Sequence, residues 1–238
     1  MLVDFFKRWT DRPRHSLEES PSAWRPSPIK VGDQTLYEQP LIVFDLETSG
    51  LDLQHDTVVA LGAVRIADQA IPLGRHLEHV LSVDTPLKPD SQLLHGYSQT
   101  DLHNGTAPQV ALRELLNYGE GCIWLAFHAE FDRHMLDRAL RQHLGIKFQH
   151  PLFDVAALAP MLFPEHARPD GGLDHWAQVF GLGTIARHAA AADALLTAEI
   201  MLILMETAHA QGFHTWRQLS EAVQRWRRSR DSIDGPMF

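Results

Sequence analysis

The sequence predicts an α/β fold: a mixed sheet, an antiparallel meander plus parallel strands, flanked by helices. Three observations predict it. Strand-like apolar runs come first, at residues 41–46, 57–67 and 76–83. A second kind of apolar run, Cys122-Ile123-Trp124-Leu125-Ala126-Phe127, follows a helical segment and precedes another. Helical spacing then dominates to the end of the chain. Strands in sequence followed by helix–strand–helix alternation build a mixed sheet with helices packed on it.

The elements follow in order. Residues 1–40 are rich in proline, serine and charge, as in Pro21-Ser22-Ala23-Trp24-Arg25-Pro26-Ser27-Pro28, and read as an N-terminal extension. Phe5, Phe6, Trp9 and Trp24 give that arm apolar anchors, for its own domain or for a partner. The main domain is expected over 41–210, with a C-terminal helix and tail over 211–238. Pro108–Tyr118 is helical, with Val110, Leu112, Leu115 and Leu116 at helix-like spacing. Cys122–Phe127 reads as a buried strand suited to parallel pairing with the first. Glu130–Leu144 is a helix stopped by Gly145, and Asp154–Leu162 one stopped by Pro164. Leu173–Phe180, Ala190–Ala210 and Trp216–Arg228 complete the helices. The C-terminal run from Trp216 to Arg230 mixes Trp216, Trp226, Arg227, Arg228 and Arg230, which fits a solvated amphipathic helix or a face for phosphate or a partner.

Composition narrows the function classes. The chain has 238 residues, enough for one sizeable domain with short extensions. Its single cysteine excludes an internal disulfide and any multi-cysteine zinc site. Charged residues at positions 4, 7 and 8 break up the apolar N-terminus, so no secretory signal is expected. The run Ile200–Met205 is too short to span a bilayer. A cytoplasmic protein is expected. The net charge is −9. Residues 1–40 are balanced and 213–238 carry +2, which leaves −11 for the remainder. Nucleic-acid affinity normally rests on phosphate neutralisation, so such acidity implies a short footprint or a substrate delivered by a partner.

The chemistry concentrates in Leu41-Ile42-Val43-Phe44-Asp45-Leu46-Glu47-Thr48-Ser49-Gly50-Leu51. Alternation along a strand sends Phe44 and Leu46 into the core and puts Asp45 and Glu47 together on the other face. Two carboxylates about 4 Å apart repel by roughly 4 kcal/mol at an effective dielectric near 20. A divalent cation between them removes that cost. Asp132 stands at the start of a predicted helix in Phe127-His128-Ala129-Glu130-Phe131-Asp132, where the dipole favours an acid. Further on comes His188-Ala189-Ala190-Ala191-Ala192-Asp193. Five residues turn about 500° on a helix, so His188 fits a loop and Asp193 the helix that follows.

In these three motifs, over about residues 40–208, the chain resembles the DEDDh branch of the DnaQ-like 3′-5′ exonucleases. The resemblance implies a ribonuclease H-like fold and Mg²⁺ or Mn²⁺ as two bound ions. Asp45, Glu47, Asp132 and Asp193 would be the metal ligands. Asp45 would bridge both ions, Glu47 and Asp193 would serve the nucleophile side, and Asp132 the leaving-group side. His188 would take the proton of the attacking water, work suited to a group with an unperturbed pKa near 6.5. Thr48 and Leu51 would line the terminal-nucleotide pocket. His95-Gly96 matches a His-Gly step beside that pocket, although a helix C-cap explains Gly96 equally well. Family members often carry His-Asn where this chain has Phe127 and His128; His128 would have to replace the amide's hydrogen bonds. Phe131 would stack on a base or simply pack in the core. Asp154 reads as a helix cap or a support for the acids.

The expected substrate is therefore a nucleic acid 3′ end, single-stranded DNA first and RNA second. A DNA polymerase or other delivery partner is compatible with the resemblance, as is a homodimer. Two other readings remain: an exoribonuclease similar to ribonuclease T or oligoribonuclease, and a non-catalytic nucleic-acid-binding module. No membrane association is expected.

Overall fold

A computed structural model of the chain describes residues 30–72, 74–183 and 188–233, with the backbone alone for 231–233. The four aromatic anchors expected in the N-terminal arm lie outside the described residues. Residues 30–40 pack on the domain. Leu36 is fully buried, Leu36 N–H donates to the His214 carbonyl, and Arg217 N–H donates to that of Gly32.

Five strands form one sheet in the order β3-β2-β1-β4-β5. They are β1 Leu41–Thr48, β2 Val58–Ile66, β3 Leu77–Val80, β4 Ile123–Ala126 and β5 Leu152–Asp154. β1 pairs antiparallel with β2, and β2 with β3, which is the expected meander. β1 pairs parallel with β4, and β4 with β5. The described helices are α1 Pro89–His95, α2 Gln99–His103, α3 Pro108–Tyr118, α4 Ala129–Leu144, α5 Val155–Leu162, α6 Leu173–Val179, α7 Ala190–Ala210 and α8 Trp216–Ile233.

Strand alternation divides the core in two. Ile42, Phe44, Leu46 and Trp124 join α3 and α4 on one face. Leu41, Val43, Ile123 and Leu125 join α5 to α8 on the other. Asp45 and Glu47 continue the second set, so they point toward the helix layer that contains α7. α8 is amphipathic as expected: Trp216, Leu219, Ala222 and Val223 are buried, and Arg225, Arg227, Arg228 and Arg230 are exposed. Cys122 is buried just before β4, and burial pushes its thiol pKa up, as befits an inert core group.

Three elements differ from the sequence reading. α2 was not expected, and α1 was foreshadowed only by the reading of Gly96 as a helix C-cap, which the structure bears out. α2 opens on a capping box between Ser98 and Asp101, a signal present in the sequence. β5 is only three residues long, and its strand character comes from pairing beside β4, so no periodicity marks it. Asp154 consequently ends a strand and caps α5 rather than opening the helix itself.

Candidate active site

β1 carries Asp45 and Glu47 to the C-terminal end of the sheet, where α7 meets it. The close approach depends on Gly62, the β2 residue opposite Asp45. A Cβ on Gly62 would lie 2.1 Å from the Ala191 nitrogen. Ala190 and Ala191 are themselves fully buried. A glycine and two alanines thus let the first turn of α7 lie directly on the sheet. Asp193 is in that turn. Carboxylate oxygens of Asp45, Glu47 and Asp193 all lie within 4.8 Å of one another. Glu47 and Asp193 are buried, and Asp45 is half-buried.

His188 precedes α7 as expected. It adopts the left-handed conformation at φ 63°, and its backbone N–H donates to Asp193 Oδ2 at 3.2 Å. Its ring is therefore carried by a segment tied to an acid of the cluster. The other site helix is entered the same way: His128, at φ 60°, is the N-cap of α4. Left-handed residues other than glycine are uncommon and often mark functional sites.

Asp132 lies in the first turn of α4, buried, and outside the 4.8 Å triplet. Burial raises its pKa to about 8, with Asp154 and Glu47 adding to the rise against hydrogen bonds from backbone amides. Asp154 is a hub beneath it. Its Oδ1 accepts from Ala129 N–H at 3.3 Å and from Ala156 N–H at 3.1 Å, so it fixes the starts of α4 and α5. Arg227 of α8 donates to Oδ2 at 2.6 Å. Asp154 thus has the capping position expected of it.

The turn after β1 is built around a further buried acid. Asp56 accepts from Ser49 Oγ at 2.9 Å, from Asp52 N–H at 2.8 Å and from Lys88 Nζ at 2.5 Å. Burial alone would raise its pKa; these bonds more than offset that and hold it below the usual range. Thr48 Oγ1 donates to the Gly50 carbonyl at 2.7 Å, which closes the turn. Leu51 is left 83% exposed, free to meet a ligand. His95 ends α1 and is buried. Its Nδ1 accepts from Tyr97 N–H at 3.1 Å, so Nε2 carries the ring proton in the neutral form, and Nε2 has no partner among the described residues. Burial, and then nearby His188, lower its pKa and favour the neutral ring. Phe131 is half-buried against the α3–α4 core and also lines a cavity of about 710 Å³ with His128, Arg133 and His134. The packing reading of Phe131 thus holds.

Tyr97 is the site residue that the sequence reading missed. It packs on His95 with ring centroids 5.1 Å apart. Burial raises its hydroxyl pKa, and Glu78, Glu47, Asp101 and Asp45 raise it further. Its place two residues after His95 was the available signal.

The donor set fits a hard divalent cation. Mg²⁺ and Mn²⁺ prefer oxygen ligands and need few carboxylates. Three convergent carboxylates and a fourth with a strongly raised pKa are a cluster that such an ion would relieve. The titration sign follows. Between the ordinary carboxylate range and about 8, folded Asp132 holds a proton that the unfolded chain releases. Asp132 should therefore withdraw stability from the metal-free protein as pH rises through that interval. Histidines whose pKa values burial lowers, such as His95, His143 and His150, act in the opposite sense. Thermal melts of wild type and Asp132→Asn at pH 5 and pH 8 in EDTA therefore test this by difference; a wild type that gains on the variant from pH 5 to pH 8 contradicts it.

Comparison with known proteins places the chain in a family. The profile of the exonuclease family RNase_T matches residues 42–201. A PolC-type DNA polymerase III of Thermotoga petrophila is 30% identical over 174 residues, 73% of this chain and 12% of that protein. A DNA polymerase III subunit epsilon-like protein of Rhodobacter capsulatus is 31% identical over 205 residues, 82% of this chain and 28% of that protein. The chain thus spans a small part of these relatives. Among solved structures, E. coli exonuclease I in complex with a dT13 oligonucleotide superposes with a TM-score of 0.62 at 16% identity, over 73% of this chain and 42% of that one. Exonuclease X in complex with 5′ overhanging duplex DNA gives 0.59 at 18% identity, over 77% and 99%. These likenesses agree with the ribonuclease H-like sheet. With its three acidic motifs inside the matched segment, the chain belongs to the DnaQ-like exonuclease family.

Proposed function

We propose that this chain is a metal-dependent exonuclease that removes nucleoside 5′-monophosphates from the 3′ end of single-stranded DNA. The observation that carries the proposal is the convergence of Asp45, Glu47 and Asp193 within 4.8 Å, with His188 attached to Asp193. Asp45, Glu47, Asp132 and Asp193 would hold two Mg²⁺ or Mn²⁺ ions. When bound, such ions stabilise charge on the attacking and leaving oxygens of an in-line displacement.

The chain's own residues supply the rest. His188 takes the proton of the attacking water as its oxygen bonds to the terminal phosphorus. The bond from phosphorus to the 3′ oxygen breaks, and that oxygen takes up a proton. The released nucleotide keeps a 5′ phosphate. The Thr48–Leu51 turn and the Nε2–H of His95 hold the terminal nucleotide, and His128 and Phe131 meet the next. The acidic surface fits a footprint of few nucleotides. The polymerase relatives favour a delivery partner of that kind, and the exonuclease I complex favours single-stranded DNA.

His188→Ala should lower kcat by about 10²–10⁴-fold, the usual contribution of a general base. Full activity in this variant would remove the base role. For the reaction itself, 5′-labelled DNA and RNA oligonucleotides are incubated with Mn²⁺, with Asp45→Ala as control. The expected result is a ladder that shortens from the 3′ end of DNA and is absent in the variant. Preferential shortening of RNA would make the chain an exoribonuclease acting through the same residues. No shortening of either polymer would leave a binding module.

A further inference from the structure

Lys88 is the N-cap residue of α1, and its side chain turns away from that helix toward the buried Asp56. The same carboxylate holds Ser49 Oγ and the Asp52 amide. Gly50 packs so tightly over this bond that an added Cβ would lie 2.4 Å from Asp56 Oδ2 and 2.7 Å from Lys88 Nζ. At its other end α1 delivers His95, whose electrostatic surroundings include His188. α1 thus spans the distance between the first acidic turn and the segment carrying His188. Arg138 of α4 secures the turn from elsewhere, donating to the Leu53 carbonyl at 2.7 Å.

We propose that Lys88 is a positioning residue for nucleotide binding, a latch that ties the Thr48–Leu51 turn to α1. The proposal rests on the reading that this turn and His95 receive the terminal nucleotide. Asp56 needs a cation because it is a buried carboxylate that also organises the turn. Without Lys88, Asp56 would draw in water, and the turn would lose its fixed relation to His95. The pair bonds to Ser49 and Asp52 of the turn. The latch therefore acts on nucleotide affinity and leaves metal binding alone.

The test uses Lys88→Met with Lys88→Arg as the conservative variant. The measurements are KM and kcat on 5′-labelled single-stranded DNA, calorimetric affinity for dTMP in Mn²⁺, and affinity for Mn²⁺ itself. Lys88→Met should raise KM and the dTMP Kd about tenfold with kcat within about twofold, a loss of binding rather than of chemistry. Mn²⁺ affinity should be unchanged, and Lys88→Arg should restore most of the loss. Lys88 is 55% exposed, so the variant is expected to fold, and Lys88→Gln repeats the test with a polar neutral side chain. Unchanged KM and dTMP affinity would overturn the proposal. So would a parallel fall of kcat, Mn²⁺ affinity and melting temperature, which marks a merely structural contact. Wild-type protein that binds dTMP but cleaves nothing would overturn the nuclease reading and leave the latch readable in the Kd. Wild-type protein that binds no nucleotide would overturn both.

Discussion

Asp45→Asn should lower hydrolysis by about a thousandfold or more while making the metal-free protein more stable. The two effects share one cause. Asp45, Glu47 and Asp193 are held together against their mutual repulsion. A unit-charge pair near 4 Å costs about 4 kcal/mol at an effective dielectric of 20. Asp45 is half-buried, so water and salt reduce this to about 1 kcal/mol. For a chain of this size that corresponds to a gain of about 2–4 °C in melting temperature. Catalysis moves the other way, because bound ions contribute several kcal/mol of charge stabilisation and each 1.36 kcal/mol is about tenfold in rate. Metal should also stop stabilising the variant. A ligand at 100 times its Kd contributes about 2.7 kcal/mol to the native state, and that shift should shrink with the ligand set. Melts with EDTA and with Mn²⁺, beside the labelled-oligonucleotide assay, read all three quantities. Wild-type activity in Asp45→Asn, or a lower melting point in EDTA, would contradict the site as described.

Much of this was legible in the sequence because short-range rules governed it. The β1 acids read correctly from alternation alone, and His188 read correctly as a pre-helix residue from the rotation of a helix. What stayed hidden depended on distant partners. The strand reading placed Asp45 and Glu47 on the face away from Phe44 and Leu46, and the structure agrees. That face is not open, however, because α7 covers it and buries Glu47. Asp56 looks like any acid in a polar turn; its buried role emerges only when Lys88, 32 residues later, reaches it. Asp154 was recognisable as a cap, but its bond to Arg227 of α8 was not, because nothing local links residues 73 positions apart. Tyr97 went unnoticed largely for the same reason: of its acidic neighbours only Asp101 is local, while Glu78 comes from β3 and Glu47 and Asp45 from β1.

Gly62 shows how a residue with no side chain can decide the chemistry. Gly62→Ala should destabilise the fold by about 1–3 kcal/mol, as overpacking does, which lowers the melting point by about 3–10 °C. The atoms that a Cβ would strike are the Ala191 nitrogen at 2.1 Å, the Ala190 carbonyl carbon at 2.3 Å and the Ala191 Cα at 2.5 Å. All are backbone, so no rotamer change relieves the clash. The start of α7 has to lift by roughly 1.3 Å to reach an ordinary 3.4 Å contact. That lift separates Asp193 from Asp45 and Glu47 and takes His188 with it through the bond to Asp193. A displacement of about 1 Å in a reacting group costs about a hundredfold in rate, so activity should fall by at least that much. Mn²⁺ affinity should fall with it. Gly172→Ala is the control: Gly172 has φ −75°, and a Cβ there meets nothing within 4 Å. It should keep wild-type rate and metal affinity. If Gly62→Ala matches that control, α7 does not depend on the glycine for its seat on β2. If Gly62→Ala loses metal affinity and rate while it remains folded at the assay temperature, the β2–α7 contact sets the geometry of the acid cluster.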